Sequence, residues 1–265
     1  MIIGPWSSDN SNKRYKMTFN QKLIFMILIH IGFTCYALVI NFDIYLILMG
    51  LFLAKLFNLL GHEIGMHRLW SHNSFETTKY KEYLLHIFYF PMLFGSTIVY
   101  AGVHRDHHAN TDTDKDPHLK SNFERLFYKR RSDYKLSVKS VHDLIKQPIH
   151  KFLHKNYFLI NVVILIVCLF ILGPIYLGYT LSFIVSYGWF GGLMVNSAGH
   201  NPKFGYRNFD TNDKSTNSYL LQLGMPGTGL HNNHHAYPGK YNYAMKGREF
   251  DIPAIIIEKF FIKHG

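Results

Sequence analysis

Two long apolar runs open the chain. Leu23 to Ile40 is broken only by His30, and Ile44 to Leu60 only by Lys55 and Asn58, with the polar Asn41 to Asp43 between them. Each run is close to the roughly 17–25 residues that a helix needs to cross a bilayer, so the pair predicts a helical hairpin. A second hairpin reads from about Asn156 to Leu172, turns at Gly173-Pro174 and returns from Ile175 to Val195. The pattern predicts an all-α integral membrane protein of one domain, 1–265, with two transmembrane hairpins spanning about 23–40, 44–60, 156–172 and 175–195. The remainder, 61–155 and 196–265, forms a helical cap on one side of the membrane. Leu84 to Val103 is also apolar, but Pro91 and Gly95 interrupt it and His86 stands near its start, so it reads as re-entrant or buried. If it crossed the membrane, the histidines on its two sides would face opposite compartments.

Charge sets the orientation. The formal net charge is +11, and the Lys and Arg residues gather in the polar stretches beside the apolar runs rather than on one face or helix. That distribution fits the positive-inside rule better than a nucleic-acid footprint, and no nucleic-acid partner is expected. It places the amino terminus (Lys13, Arg14, Lys16), the stretch from Arg68 to Lys155 and the carboxyl-terminal segment in the cytoplasm. No cleavable signal precedes the first run. Lys55 is expected to snorkel to the surface, and Lys129-Arg130-Arg131 to form a solvated basic patch. Cys35 and Cys168 both lie in apolar runs, which excludes a disulfide framework or a thiolate metal site and makes them inert packing residues.

Seventeen histidines are far more than structure needs, and most fall in short groups: His67-Arg-Leu-Trp-Ser-His72, His104-Arg-Asp-His107-His108, Asn196-Ser-Ala-Gly-His200 and His231-Asn-Asn-His234-His235. Residues i, i+3 and i+4 share a helix face, so His104, His107 and His108 converge, as do His231, His234 and His235. Asn196 and His200, four apart, point the same way. His67 and His72, five apart, diverge by about 140° on a straight α-helix; a helix end or turn must bring them together, or they serve different metals. All the groups fall at span ends on the predicted cytoplasmic side. Nine imidazoles with few carboxylates near them in sequence exceed any single ion's needs and imply two metals with room for water or dioxygen. Asp116 and His118 are candidates to orient a ligating imidazole, and His62 reads as a supporting group rather than a tenth ligand.

HRLWSH at 67–72, HRDHH at 104–108 followed by Asp116-Pro117-His118, NSAGH at 196–200 and HNNHHAYP at 231–238 resemble, in order, the signature boxes of the membrane fatty acid desaturase family. Within it they are most similar to the acyl-CoA, stearoyl-CoA-type branch. Phe204 to Phe209 and Glu249 to Asp251 also resemble family segments, so the likeness runs from about Leu60 to Asp251. The resemblance implies two irons held by His67, His72, His104, His107, His108, His200, His231, His234 and His235, with Asn196 contributing through a water. It implies desaturation of a fatty acyl chain, as a coenzyme A ester or related thioester, with dioxygen as co-substrate and electrons from a separate ferredoxin- or cytochrome-type protein. The acyl chain is expected in a closed tunnel between spans and cap, with Leu84 to Phe94 as candidate lining. Where the family usually has Gly-Glu-Gly and an aromatic before the last box, this chain has Gly227-Thr228-Gly229-Leu230.

The same ligands also suit hydroxylation of an alkyl or acyl chain. A histidine-rich metal transporter would carry its histidines along a path through the spans, whereas here only His30 lies mid-span. A short chain with no fused electron-transfer domain points to a bacterial inner membrane rather than the endoplasmic reticulum.

Overall fold

The computed structural model describes residues 17–118 and 135–263. These are helical, with only isolated bridges linking Tyr206, Asn217 and Leu230; the basic run Lys129–Arg131 lies outside the described residues. Helix α1 (Phe19–Ile40) begins in a capping box in which Thr18 accepts from the Gln21 amide and the Gln21 side chain accepts from the Thr18 amide. Helix α2 (Ile44–Phe57) is capped by Asp43, whose carboxylate accepts from the amides of Tyr45 and Leu46. It does not end near Leu60. It continues unbroken as a π-helix, Asn58–Ser71, that carries the first histidine box.

Among the described residues three helical stretches are long and apolar enough to cross a membrane: Phe19–Ile40, Ile44–Ser71 and Tyr157–Tyr179. The helix breaks at Gly173-Pro174, where the sequence pattern puts the turn of the second hairpin. Gly173, at φ +70° and ψ 171°, divides helix α7 (Tyr157–Tyr179) into two helical pieces; across Thr180 the backbone bonds continue, the Thr180 amide donating to the Tyr176 carbonyl and the Ile184 amide to the Thr180 carbonyl (both 3.0 Å), and helix α8 (Leu181–Ala198) packs on α7, α1 and α2. A Gly-Pro pair removes one amide and lets the glycine take a left-handed φ, which breaks the helix at that point.

The apolar segment after the first box is a bent pair. Helices α3 (Lys79–Tyr89) and α4 (Thr97–Asn110) meet at 84° across a short break containing Pro91, Leu93 at φ +60° and Gly95 at φ +100°. Polar partners satisfy this elbow: the Tyr89 hydroxyl donates to the Gly95 carbonyl (2.9 Å), and the Gly95 amide donates to the Tyr157 hydroxyl (3.0 Å). The short helices α5 (His142–Ile145) and α6 (Pro148–Lys155) pack beside α4 and lead into α7. Three more short helices, α9 (Tyr219–Gly224), α10 (His231–Ala236) and α11 (Ile252–Ile256), close over the end of the bundle.

The main core lies where the π-helix, α3 and α4 meet, around Ile64, Met66, Trp70, Leu85, Tyr89 and Ile98, all buried. Each aliphatic side chain there contributes about 1.5–3 kcal/mol on burial. Contact is close enough that a Cβ at Gly61 would lie 2.5 Å from the carbonyl carbon of Phe88, so glycine is required for the π-helix to rest on α3. The site is thus built on packed helices rather than on loops.

Candidate metal centre

In a π-helix the backbone bonds run from i+5 to i, and the His72 amide donates to the His67 carbonyl at 3.2 Å. Five residues then make about one turn, which aligns three rings. His62 stacks on His67 with centroids 6.0 Å apart, and His67 meets His72 edge-on at 5.1 Å. The divergence expected on an α-helix is thereby removed.

The nine histidines form two adjoining groups. In the first, the Nε2 atoms of His67 and His234 are 3.0 Å apart, those of His234 and His108 2.8 Å, those of His108 and His104 3.2 Å, and those of His104 and His72 2.8 Å. In the second, His231 Nε2 lies 2.9 Å from His200 Nε2 and 3.1 Å from His235 Nε2, and the His107 ring sits 5.2 Å from His200 and 5.4 Å from His235. Each HxxHH triplet divides between the groups. His104 and His108 face the first and His107 the second, while His234 faces the first and His231 and His235 the second. The i and i+4 rings share one direction and the i+3 ring takes another, so two short helices serve both groups.

Carboxylates from behind fix several rings. His107 Nδ1 lies 2.9 Å from Asp116, His235 Nδ1 2.9 Å from Asp213 and His200 Nδ1 3.3 Å from Asp112. A carboxylate only accepts, so each Nδ1 carries the proton and each Nε2 turns a lone pair inward. His231 Nε2 therefore faces two lone pairs, and one proton satisfies only one. In the first group no assignment of ring protons satisfies all four contacts. His107 Nε2 and the Nδ1 atoms of His67, His231 and His234 are buried with no hydrogen-bond partner among the described residues. A metal ion resolves the inward conflict: with bonds of about 2.1 Å, cis ligand nitrogens stand about 3.0 Å apart. The residues present therefore fit metal ions.

Burial, reinforced by the neighbouring rings, holds His231, His234 and His235 well below the ordinary histidine value, so they stay neutral and able to ligate. Burial pushes the Asp116 carboxyl up, but the hydrogen bond to His107 and the nearby His118 outweigh it and keep it ionised. Asp116 also accepts from the amides of Asp112 and His118, so it both caps the turn and orients His107.

His62 joins neither group, because Glu63 Oε1 (2.9 Å) and the Tyr100 hydroxyl (2.6 Å) occupy both its nitrogens. Asn196 lines a cavity of about 60 Å³ beside His107 and His231. Of Leu84 to Phe94, only Phe94 lines that cavity. Met225 separates it from a larger apolar groove of about 760 Å³ lined by Tyr187, Phe190, Met194, Phe204 and Leu221. Lys55 donates to the Leu223 carbonyl (3.3 Å), and both cysteines are free thiols.

Sequence reasoning missed Glu63, Asp112 and Asp213. The fully buried Glu63 accepts from the Thr228 hydroxyl, the residue that departs from Gly-Glu-Gly, so an acidic group does occupy this spot but from another helix. Glu63 also pairs with Arg68 Nη1 (3.1 Å), while Arg68 Nη2 grips both Asp251 oxygens (3.0 and 2.9 Å) and binds the carboxyl-terminal segment to the first box. Asn232 and Asn233 of the last box turn to other partners than the two histidine groups. Asn232 accepts from the amides of Asn208 and Phe209, and Asn233 donates to Glu249 (2.8 Å) and the Tyr243 carbonyl (2.7 Å). The Phe204–Phe209 and Glu249–Asp251 segments are thus its scaffold.

Membrane-length helices carrying a multi-histidine metal site at one end define a membrane-embedded metal-dependent oxidoreductase. Residues 14–246 match the fatty acid desaturase family model, and the chain belongs to that family. It is similar to the sn-1 stearoyl-lipid 9-desaturase of Anabaena variabilis, 30% identical over 89% of this chain and 88% of that one. It is also similar to the sn-2 palmitoyl-lipid 9-desaturase of Nostoc sp. (strain 36), 35% identical over 76% of this chain and 73% of the relative. The acyl-CoA 5-desaturase AL21 of Anemone leveillei is 29% identical over 75% of this chain and 63% of its own length. The activity is dioxygen-dependent desaturation of a fatty acyl chain at a multi-histidine metal site.

Proposed function

We propose that the centre holds two irons. His67, His72, His104, His108 and His234 hold one; His107, His200, His231 and His235, with Asn196 through a water, hold the other. The observation that carries this is the facing of ring nitrogens at 2.8–3.2 Å in two groups, a crowding that calls for cations. When bound, iron supplies the activation of dioxygen that an unactivated methylene requires and that no side chain provides.

The residues of the chain do the rest. Asp116, Asp213 and Asp112 keep three Nε2 lone pairs aimed inward as the centre changes charge. Phe94, Val103, Val195 and Met225 wall the cavity beside the histidines and limit water, which guards a reactive centre against side reactions. The acyl chain enters from the apolar groove and passes Met225 to reach the metals; this groove replaces Leu84–Phe94 as the acyl-binding surface. The cyanobacterial relatives are named for lipid-linked acyl chains, which supports a lipid ester as carrier over the coenzyme A thioester expected from the boxes.

The whole chain is one domain whose four spans are α1, α2, α7 and α8, with the bent pair α3–α4 re-entrant. The 2.8 Å approach of His72 to His104, which flank that pair, supports its starting and ending on one side. The positive-inside pattern makes that side cytoplasmic, where a separate ferredoxin- or cytochrome-type protein supplies electrons; the membrane is a bacterial inner membrane.

The test is fatty-acid profiling by mass spectrometry of cells expressing the chain beside cells expressing His107→Ala, His108→Ala. A species lighter by two hydrogen atoms, absent in the variant and appearing in membrane lipid before the thioester pool, is expected. Gain of an oxygen atom would replace this reading with hydroxylation, and first appearance in the thioester pool would restore coenzyme A as carrier.

A further inference from the structure

Behind the first histidine box lies a second kind of cluster. Glu82 and His86 stand four apart on one face of α3, and His150 comes from α6; all three are buried. Their candidate ligand atoms lie within 4.8 Å of one another, with Glu82 Oε1 3.6 Å from His150 Nε2, too far for a hydrogen bond. His150 Nδ1 is 2.8 Å from the Thr97 hydroxyl, which can accept its proton and so leave the Nε2 lone pair to face the cluster. Among the described residues neither His86 nitrogen has a hydrogen-bond partner, nor has His150 Nε2, although all three atoms are inaccessible to solvent. Buried imidazole nitrogens without partners are costly and need a reason.

We propose that Glu82, His86 and His150 bind a divalent zinc-class ion separate from the histidine groups of the active centre. Two neutral imidazoles and one carboxylate form a common three-residue zinc set, with a fourth position for water. The ion fills the gap between Glu82 and His150 and gives the unpartnered nitrogens a ligand. Lys79 now holds the second Glu82 oxygen at 2.8 Å, but its side chain is 66% exposed, so it is free to turn to water when a cation arrives. The role is structural. His86 stacks on Trp70 with centroids 4.1 Å apart, and Trp70 Nε1 donates to Glu82 (3.3 Å). Trp70 lies two residues before His72, so an ion here pins α3 and α6 against the segment that aims the first box.

The test uses the purified full-length chain in detergent, loaded with iron, equilibrated with zinc and dialysed, then analysed for both metals and by zinc-edge X-ray absorption. One zinc per chain is expected, with two imidazoles and oxygen in its shell. His86→Phe keeps the stack on Trp70 and removes both nitrogens; Glu82→Gln keeps the shape and removes the charge. Both variants should lose the zinc and leave iron content unchanged, and zinc should raise the unfolding temperature of the parent but not of His86→Phe. Absence of zinc from the parent, zinc retained in both variants, or an all-imidazole zinc shell overturns the proposal. So does His86→Phe being more stable than the zinc-equilibrated parent, which is what relief of an unpartnered buried imidazole alone would give. These readings do not depend on the iron count or on the reaction, so the assignment of the active centre stands or falls separately.

Discussion

Exchanging the partners Glu63 and Thr228 tests whether the acidic group beside the last box acts by its place in space rather than in sequence. Glu63→Thr removes a fully buried carboxylate that accepts from Thr228, pairs with Arg68 at 3.1 Å and meets His62 at 2.9 Å. Arg68 keeps Asp251, so the loss is one charge-assisted contact and one orphaned ring nitrogen, about 2–3 kcal/mol. Thr228→Glu sets a second carboxylate against the first where water is excluded; one must take up a proton, at about 3–5 kcal/mol. Independent sites would sum to about 5–8 kcal/mol in the double variant. The geometry argues otherwise. A Cβ at Gly227 would stand 3.0 Å from Glu63 Oε2 and 3.1 Å from Arg68 Nη1, so a carboxylate at the next residue falls within reach of the same arginine, while the shorter side chain left by Glu63→Thr vacates the matching volume. The double variant should recover to within about 1–2 kcal/mol of the parent, a coupling of about 3 kcal/mol or more. At about 2–4 °C per kcal/mol for a chain of this size, Thr228→Glu alone should lower the unfolding midpoint by about 6–20 °C. Thermal unfolding in detergent with iron content measured alongside reads this directly. A double variant as unstable as the sum of the singles would refute the exchange.

Asp251→Asn leaves Arg68 buried with a weakened second partner and should cost about 3 kcal/mol, read as a lowered midpoint together with proteolytic release of the carboxyl-terminal segment. Asp213→Asn frees the His235 ring and should lower affinity for one of the two proposed irons by about 10–100-fold in chelator competition, with the other retained. In the metal-free protein, burial holds His231, His234 and His235 neutral well below the pH at which the unfolded chain takes up protons. Their contribution is thus fully present above about pH 6.5 and shrinks as pH falls toward the depressed folded values, by up to about 1.4 kcal/mol per pH unit for each ring. Metal-free midpoints should therefore fall between about pH 7 and pH 5; a flat profile there would show that these rings are exposed without metal.

The spans were legible where apolar side chains alone specify structure, as in Leu23–Ile40, because a bilayer demands length and composition and little else. The break at Gly173-Pro174 was legible as local turn chemistry, a glycine free to take φ +70° followed by a residue without an amide. The histidines were legible as groups, but the partition of each HxxHH triplet between two centres depends on how α4 and α10 approach each other. The π-helix at Asn58–Ser71 left one trace in sequence: His62, His67 and His72 recur every five residues, a period that fits neither α-helix nor strand. The spacing that looked like an obstacle to convergence was the signature of the geometry that achieves it. The supporting carboxylates were hidden for a different reason. Asp112 serves His200 across 88 residues and Glu63 serves Thr228 across 165, so no local window contains both partners. At Thr228 a hydroxyl in a box that usually carries an acid reads as a loss until the fold brings Glu63 to it. A missing residue in a motif is therefore evidence about one position only, and the chemistry it supplied must be sought on every element that packs there.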